Sequence, residues 1–139
     1  MFKAITRVAA TAVIATGVSM GGAAIASAAP CPAGYMCGWG DRDYLTSGSQ
    51  AANVKAYECQ YDLAFLNYSG TTRRSQDDIT SVYNNGNSNN GYYYTAAGYG
   101  GTPMLVSRGT GKPELNVSNS GMNDKISSFK FTSASNTCH

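Results

Sequence analysis

Gln76-Asp77-Asp78-Ile79-Thr80-Ser81-Val82 recurs as Asn123-Asp124-Lys125-Ile126-Ser127-Ser128-Phe129. The shared pattern is amide, Asp, any residue, Ile, hydroxyl, Ser, apolar. A repeated segment marks a repeated structural unit, so the chain reads as two copies of one supersecondary motif. Each copy also gathers carboxylates and hydroxyls within a few residues. These are hard oxygen donors, the kind Ca²⁺ takes and soft metals do not.

The segments around each copy are short, alternating and separated by turn residues. No stretch after Ala29 carries a helical apolar period with caps, so the expected class is all-β. In the first half, Tyr35, Cys37 and Trp39 alternate with Met36, Gly38 and Gly40, as a half-buried strand does. Asn53 to Tyr57, Leu63 to Tyr68 and Thr80 to Tyr83 are the next strand candidates. The second half has Tyr92 to Tyr94, Met104 to Val106, Leu115 to Val117 and Ile126 to Phe131, with Phe129 and Phe131 on one face. Gly109-Thr110-Gly111-Lys112-Pro113 reads as a turn. Asn84 to Gly91, built from Asn, Ser and Gly, reads as a flexible connector or turn between the halves.

Residues 1–28 read as a secretory signal peptide. Lys3 and Arg7 form its basic start, Val8 to Ile25 its apolar stretch, and Ala26-Ser27-Ala28 a small-x-small cleavage signature. A membrane anchor is the weaker reading, because Gly and Ser interrupt the apolar run and cleavage residues follow at once. Residues 29–139 then form a single domain, with motif one near 35–84 and motif two near 91–132. The chain has 10 basic and 8 acidic side chains. Setting Lys3 and Arg7 aside leaves 8 against 8, a formal charge of zero. That balance gives no support to a nucleic-acid or anionic-membrane partner. The expectation is a monomer with no membrane attachment once mature.

Cys31, Cys37, Cys59 and Cys138 are an even set in a secreted small domain, which suggests two disulfides. Three connectivities exist. Cys31–Cys37 closes a short loop, and Cys59–Cys138 would tie down the C-terminus. A zinc site is poorly supported, since there is no CxxC pair and the lone His139 is the last residue.

These residues together resemble the βγ-crystallin superfamily, whose domain is a sandwich of two four-stranded Greek-key motifs. Each family motif opens on an aromatic hairpin, aromatic-x4-aromatic-x-Gly, which Tyr94-Thr95-Ala96-Ala97-Gly98-Tyr99-Gly100-Gly101 matches. Trp39 and Tyr44 have the same spacing in the first half, with Thr46 where Gly is expected and Gly48 two residues later. The repeat is similar to the family's calcium motif, with a departure at Gln76. The resemblance implies two shared sites. Asp77 would join the carbonyl of Lys125 and the hydroxyl of Ser127, while Asp124 would join the carbonyl of Asp78 and the hydroxyl of Thr80. Ser81 and Ser128 would hydrogen-bond the folded hairpins. The motif also has a metal-free role, shaping the turn into the last strand through side-chain-to-backbone bonds.

A narrower resemblance rests on the signal peptide, the single domain and Cys31-Pro32-Ala33-Gly34-Tyr35-Met36-Cys37-Gly38-Trp39. It is to the small secreted inhibitors of thermolysin-type metalloproteases, and it implies an extracellular protease as partner. No inhibitory loop transfers residue by residue, because a second close cysteine pair is absent.

An enzyme is the weakest class. No internal His is available for a Ser-His or Cys-His pair or an HExxH helix, and Glu58 and Glu114 are the only glutamates. A glycan-binding module would use tyrosines as stacking platforms. Tyr92-Tyr93-Tyr94 is the best candidate, although alternation puts Tyr93 opposite its neighbours and one face in the core. A toxin-like role on the same scaffold has no specific support. The expectation is therefore a disulfide-stabilised, non-catalytic binder: a protease inhibitor first, a calcium-binding structural module second.

Overall fold

The computed structural model describes residues 31–45, 52–55 and 59–135. The expected signal peptide, Thr46, Gly48, Tyr57 and Cys138 lie outside them. Eight strands follow in order: β1 (Tyr35–Trp39), β2 (Ala52–Lys55), β3 (Cys59–Gln60), β4 (Ser81–Asn84), β5 (Gly91–Ala96), β6 (Gly100–Val106), β7 (Thr110–Lys112) and β8 (Ser128–Phe131). They form two antiparallel sheets, β2-β1-β4-β7 and β3-β8-β5-β6. The order departs from the chain at two strands. β3 leaves the first four to pair with β8, and β7 makes the reciprocal move onto β4. Each half lends its third strand to the other's sheet. The result is a sandwich of two interlocked Greek keys.

Those third strands are where the sequence misleads. Leu63 to Tyr68 is not a strand: Leu63–Phe65 is a 3-10 turn. Leu115 to Val117 is not one either, because Leu115–Ser118 forms a one-turn helix, α1. The true third strands precede them, and β7 falls inside the stretch read as a turn. With two and three residues, they are too short for a period of two to register. The apolar residues that drew the eye, Leu63 and Leu115, each plug the core from the start of a turn, fully buried. Asp62 caps the first turn, its carboxylate accepting from Ala64 N at 2.8 Å.

Between the sheets lies one core that includes Met36, Leu63, Tyr68, Ile79, Val82, Tyr93, Leu115, Met122, Ile126, Phe129 and Phe131. Fully burying each such side chain is worth about 1.5–3 kcal/mol. Phe129 and Phe131 share the inward face, as the alternation predicts. β1 is buried more fully than a one-sided strand. Met36 enters the core while Cys37 and Trp39, on the opposite face, lie under Cys31, Tyr35, Tyr44 and Tyr83. Gly38 is required by close approach, since a Cβ there would sit 2.7 Å from Ile79 Cδ1. Tyr93 crosses the sandwich. Its hydroxyl lies 2.8 Å from the Cys37 carbonyl and 3.1 Å from that of Tyr83, a facing pair in the β1–β4 ladder.

The connector between the halves is more ordered than a flexible Asn-Gly linker. Asn84 is buried, donating through Nδ2 to the carbonyls of Asn89 and Val106 at 3.1 and 3.0 Å. Its Oδ1 accepts from Gly86 N at 2.9 Å. A buried amide with its donors and acceptor engaged holds the turn to the sheet.

Candidate functional site

The two aromatic hairpins share one geometry. Tyr94 and Tyr99 lie 5.8 Å apart, and Trp39 and Tyr44 lie 5.2 Å apart. Tyr99 and Tyr44 both have φ of 61°, a conformation costly for a tyrosine. Ser128 Oγ holds the second hairpin, donating to the Ala96 carbonyl at 2.7 Å and accepting from Tyr99 N at 3.1 Å. Ser81 Oγ holds the first in the same way, donating to Asp41 O at 2.7 Å and accepting from Tyr44 N at 3.2 Å. Asp43, with φ of 58°, stands where the second hairpin has Gly98. Asp tolerates the left-handed region better than most residues, so the first hairpin folds over without that glycine.

The repeated loops interlock crosswise. Asp77 N donates to the Ile126 carbonyl and Asp124 N to that of Ile79, both at 3.1 Å. Ser127 Oγ donates to Asp77 Oδ1 at 2.8 Å, and Thr80 Oγ1 to Asp124 Oδ1 at 3.1 Å. Each carboxylate thus meets the hydroxyl of the opposite motif. Both aspartates have left-handed backbones, φ 51° and 52°. The Asp78 carbonyl accepts from Tyr68 OH at 3.1 Å. Burial, together with the nearby Asp78 carboxylate, pushes the Tyr68 phenol up, which keeps its proton for that bond. The Asp78 carboxylate is held by Arg73 at 2.7 and 2.9 Å, through Nε and Nη2. Lys125 is exposed, and its N donates to Met122 O at 3.2 Å.

The donors fit a hard divalent cation. All are oxygens, and Asn123 Oδ1 is buried beside Asp124 without a hydrogen-bond partner, while Asn123 Nδ2 donates to Asp124 Oδ2 at 2.6 Å. The sequence did not reveal the Arg73 clamp or the Tyr68 prop: Arg73 lies in a loop with no periodic signal, and Tyr68 was read as the end of a strand that does not form.

A third feature is the bridge between Cys31 and Cys37, six residues apart, with Cα atoms 5.8 Å apart. The other expected bridge joins Cys59 in β3 to a residue outside those described. Pro32 and Ala33 are exposed within the closed loop. The loop is fastened to the connector: Gly34 N donates to Asn85 O at 2.8 Å, Asn85 N to Tyr35 O at 2.9 Å, and Asn85 Nδ2 to Cys31 O at 2.7 Å.

Residues 24–106, more than half of the chain, match the model of peptidase inhibitor family I36. The chain belongs to this family. Its I36 assignment makes the protein one of a group of peptidase inhibitors, with a protease as the general class of partner. The fold agrees with solved βγ-crystallins. A structure from work on the evolution of the eye-lens βγ-crystallin domain fold aligns with a TM-score of 0.57 and 17% identity, over 76% of this chain and 93% of its own. A βγ-crystallin from Ciona intestinalis aligns with a TM-score of 0.54 and 18% identity, over 71% and 100%. Identities this low speak for the fold alone. No curated protein matches the I36 chain significantly. Among the described residues no helix is long and apolar enough to cross a membrane.

Proposed function

We propose that the protein is a secreted inhibitor of thermolysin-type metalloproteases. The family I36 match over residues 24–106 carries the reading. Its geometry supports it in one respect. The exposed turn Pro32-Ala33 and the exposed connector tip Asn87-Ser88 are tied together through Cys31, Gly34, Tyr35 and Asn85. A protease cleft gains most from a surface that needs no ordering when it binds. The sandwich supplies that rigidity, and the Cys31–Cys37 bridge closes the first turn covalently. Export by way of residues 1–28 would bring the inhibitor to extracellular proteases. The test is residual activity of thermolysin, a serine protease and a cysteine protease after incubation with the purified protein. Selective loss of thermolysin activity supports the proposal; full activity of all three in stoichiometric excess of inhibitor ends it.

The crossed Asp77–Ser127 and Asp124–Thr80 pairs favour a second, compatible reading: calcium binding that staples the two motifs. Asp77, the Lys125 carbonyl and Ser127 would hold one ion, and Asp124, the Asp78 carbonyl and Thr80 the other. Bound Ca²⁺ would supply only charge neutralisation and rigidity there. At 100 times its dissociation constant it would stabilise the fold by about 2.7 kcal/mol. Thermal melts with calcium and with chelator read this directly. The paired Asp77→Ala and Asp124→Ala variant should lose the difference, and identical melts of the unaltered protein would refute it.

A further inference from the structure

Alternation puts Tyr93 in the core and turns Tyr92 and Tyr94 to the outer face of the second sheet, where both are half-buried. They do not stand alone. Tyr92 and Tyr94 lie 5.9 Å apart, Tyr94 and Tyr99 5.8 Å, and Tyr99 and Tyr61 5.6 Å. Four rings therefore neighbour one another along this face, tilted by 41° and 60° at the first two contacts and edge to face, at 89°, where Tyr99 meets Tyr61. Leu105, facing Tyr92 across the β5–β6 ladder, is 47% exposed and extends the row at one end. Tyr61, 39% exposed, ends it at the other.

The matching face of the first sheet shows what a structural role for such rings looks like. Trp39, the counterpart of Tyr94 in its hairpin, is 1% exposed because the Cys31–Cys37 segment packs over it. Phenols enclosed in that way would be core. Those of the second sheet keep part of each ring and Leu105 in water. Charge narrows the occupant further. Of the described ladder positions on this face, Lys130 alone is charged; it is only 7% exposed, donates to the Ala134 carbonyl at 3.2 Å and holds its ammonium 5.1 Å from the Tyr99 ring centroid, so this cation is engaged within the face. With that ammonium engaged by the Tyr99 ring and the Ala134 carbonyl, a face of successive rings with hydroxyl rims offers little to an acidic or basic partner. It suits a ligand with apolar C–H faces and neutral hydroxyls, repeated along a line.

We propose that the Tyr92–Tyr94–Tyr99–Tyr61 row is a binding surface for a neutral polysaccharide chain, stacking sugar faces on the rings. It shares no residue with the Pro32 and Asn87 turns, so it is tested independently of protease inhibition. Such a surface would hold the secreted protein on a glycan matrix.

The test is co-sedimentation of the intact protein with insoluble cellulose, chitin and xylan, followed by calorimetry with soluble oligomers of whichever polymer retains it. Retention that persists in high salt is expected. Tyr92→Ala should weaken it about two- to tenfold, the scale of one lost ring contact. Because Tyr94 and Tyr99 belong to the folded hairpin, Leu105→Ser serves as the second variant, on a separate strand, and should also weaken binding. Both variants should keep the parent melting temperature and protease inhibition. Absence of retention on all three polymers overturns the proposal. So does retention that Tyr92→Ala and Leu105→Ser leave unchanged. Loss of protease inhibition in these variants would assign the row to a protein interface instead, and would equally overturn it.

Discussion

Ser81 and Ser128 each sit one position before a buried apolar residue, and each holds two backbone groups of a folded hairpin. Removing either hydroxyl leaves a donor and an acceptor of the bent backbone without their partner. Ser128→Ala and Ser81→Ala should each cost about 1–3 kcal/mol in urea denaturation; a change under a few tenths would mean that the hairpins do not depend on these bonds. These two serines were legible in the sequence because they lie inside a repeat. Tyr93 was legible only as a core residue. That its hydroxyl spans the sandwich to the β1–β4 ladder required the register of both sheets. Burial pushes the Tyr93 and Tyr68 phenols well above the ordinary value of 10.0. In the unfolded chain they ionise near that value and in the fold they do not, so the sign is fixed. Stability is fully present below pH 10 and falls as pH rises above it. Equilibrium unfolding across alkaline pH should show this decline, and phenolate absorbance of the buried pair should emerge only with unfolding.

At the scale of the element, the eight strands divide by length. The longer ones announce themselves through alternation, and β4 and β8 through the repeat as well. β3 and β7 did not, because two or three residues between turns carry no period. Their identity is set by tertiary pairing: each is completed by a strand of the opposite motif. The connector, read as a flexible linker or a turn, is a turn for a related reason. Asn and Gly permit many backbone conformations, and the choice among them is made by Asn84, whose amide is buried against Val106. The Cys31–Cys37 loop is the clearest case where sequence spacing and structure agree, since a six-residue separation brings the Cα atoms to 5.8 Å. In the chain-entropy account a loop this short contributes about 2 kcal/mol. The Cys31→Ser and Cys37→Ser double variant should lose that amount in denaturant titration, with the far-ultraviolet spectrum of the sandwich retained.

For the whole molecule, the two halves cannot be separated. Each sheet contains a strand from the other half, Asp77 and Asp124 each meet a hydroxyl from the other half, and one core serves both. Among the described residues five non-glycine residues have positive φ, and all lie in the two hairpins or the two repeats. Strain of this kind persists only where the surroundings over-determine it, as the serine and crossed aspartate bonds do here. The repeat made the fold class readable, since it marked two equivalent units before any strand was assigned. The site was readable to a lesser degree. The crossed pairing of Asp77 with Ser127 and of Asp124 with Thr80 was legible through the resemblance of the duplicated motif to the βγ-crystallins, whereas the Arg73 clamp and the tyrosine row depend on packing that no local pattern encodes. A rigid, interlocked sandwich of this kind suits an inhibitor, which must enter a protease cleft without yielding to it. The most direct measurement is titration of thermolysin activity with the purified protein. The account predicts activity falling linearly to near zero at equimolar inhibitor, with serine and cysteine proteases untouched; thermolysin that stays fully active in excess inhibitor would contradict it.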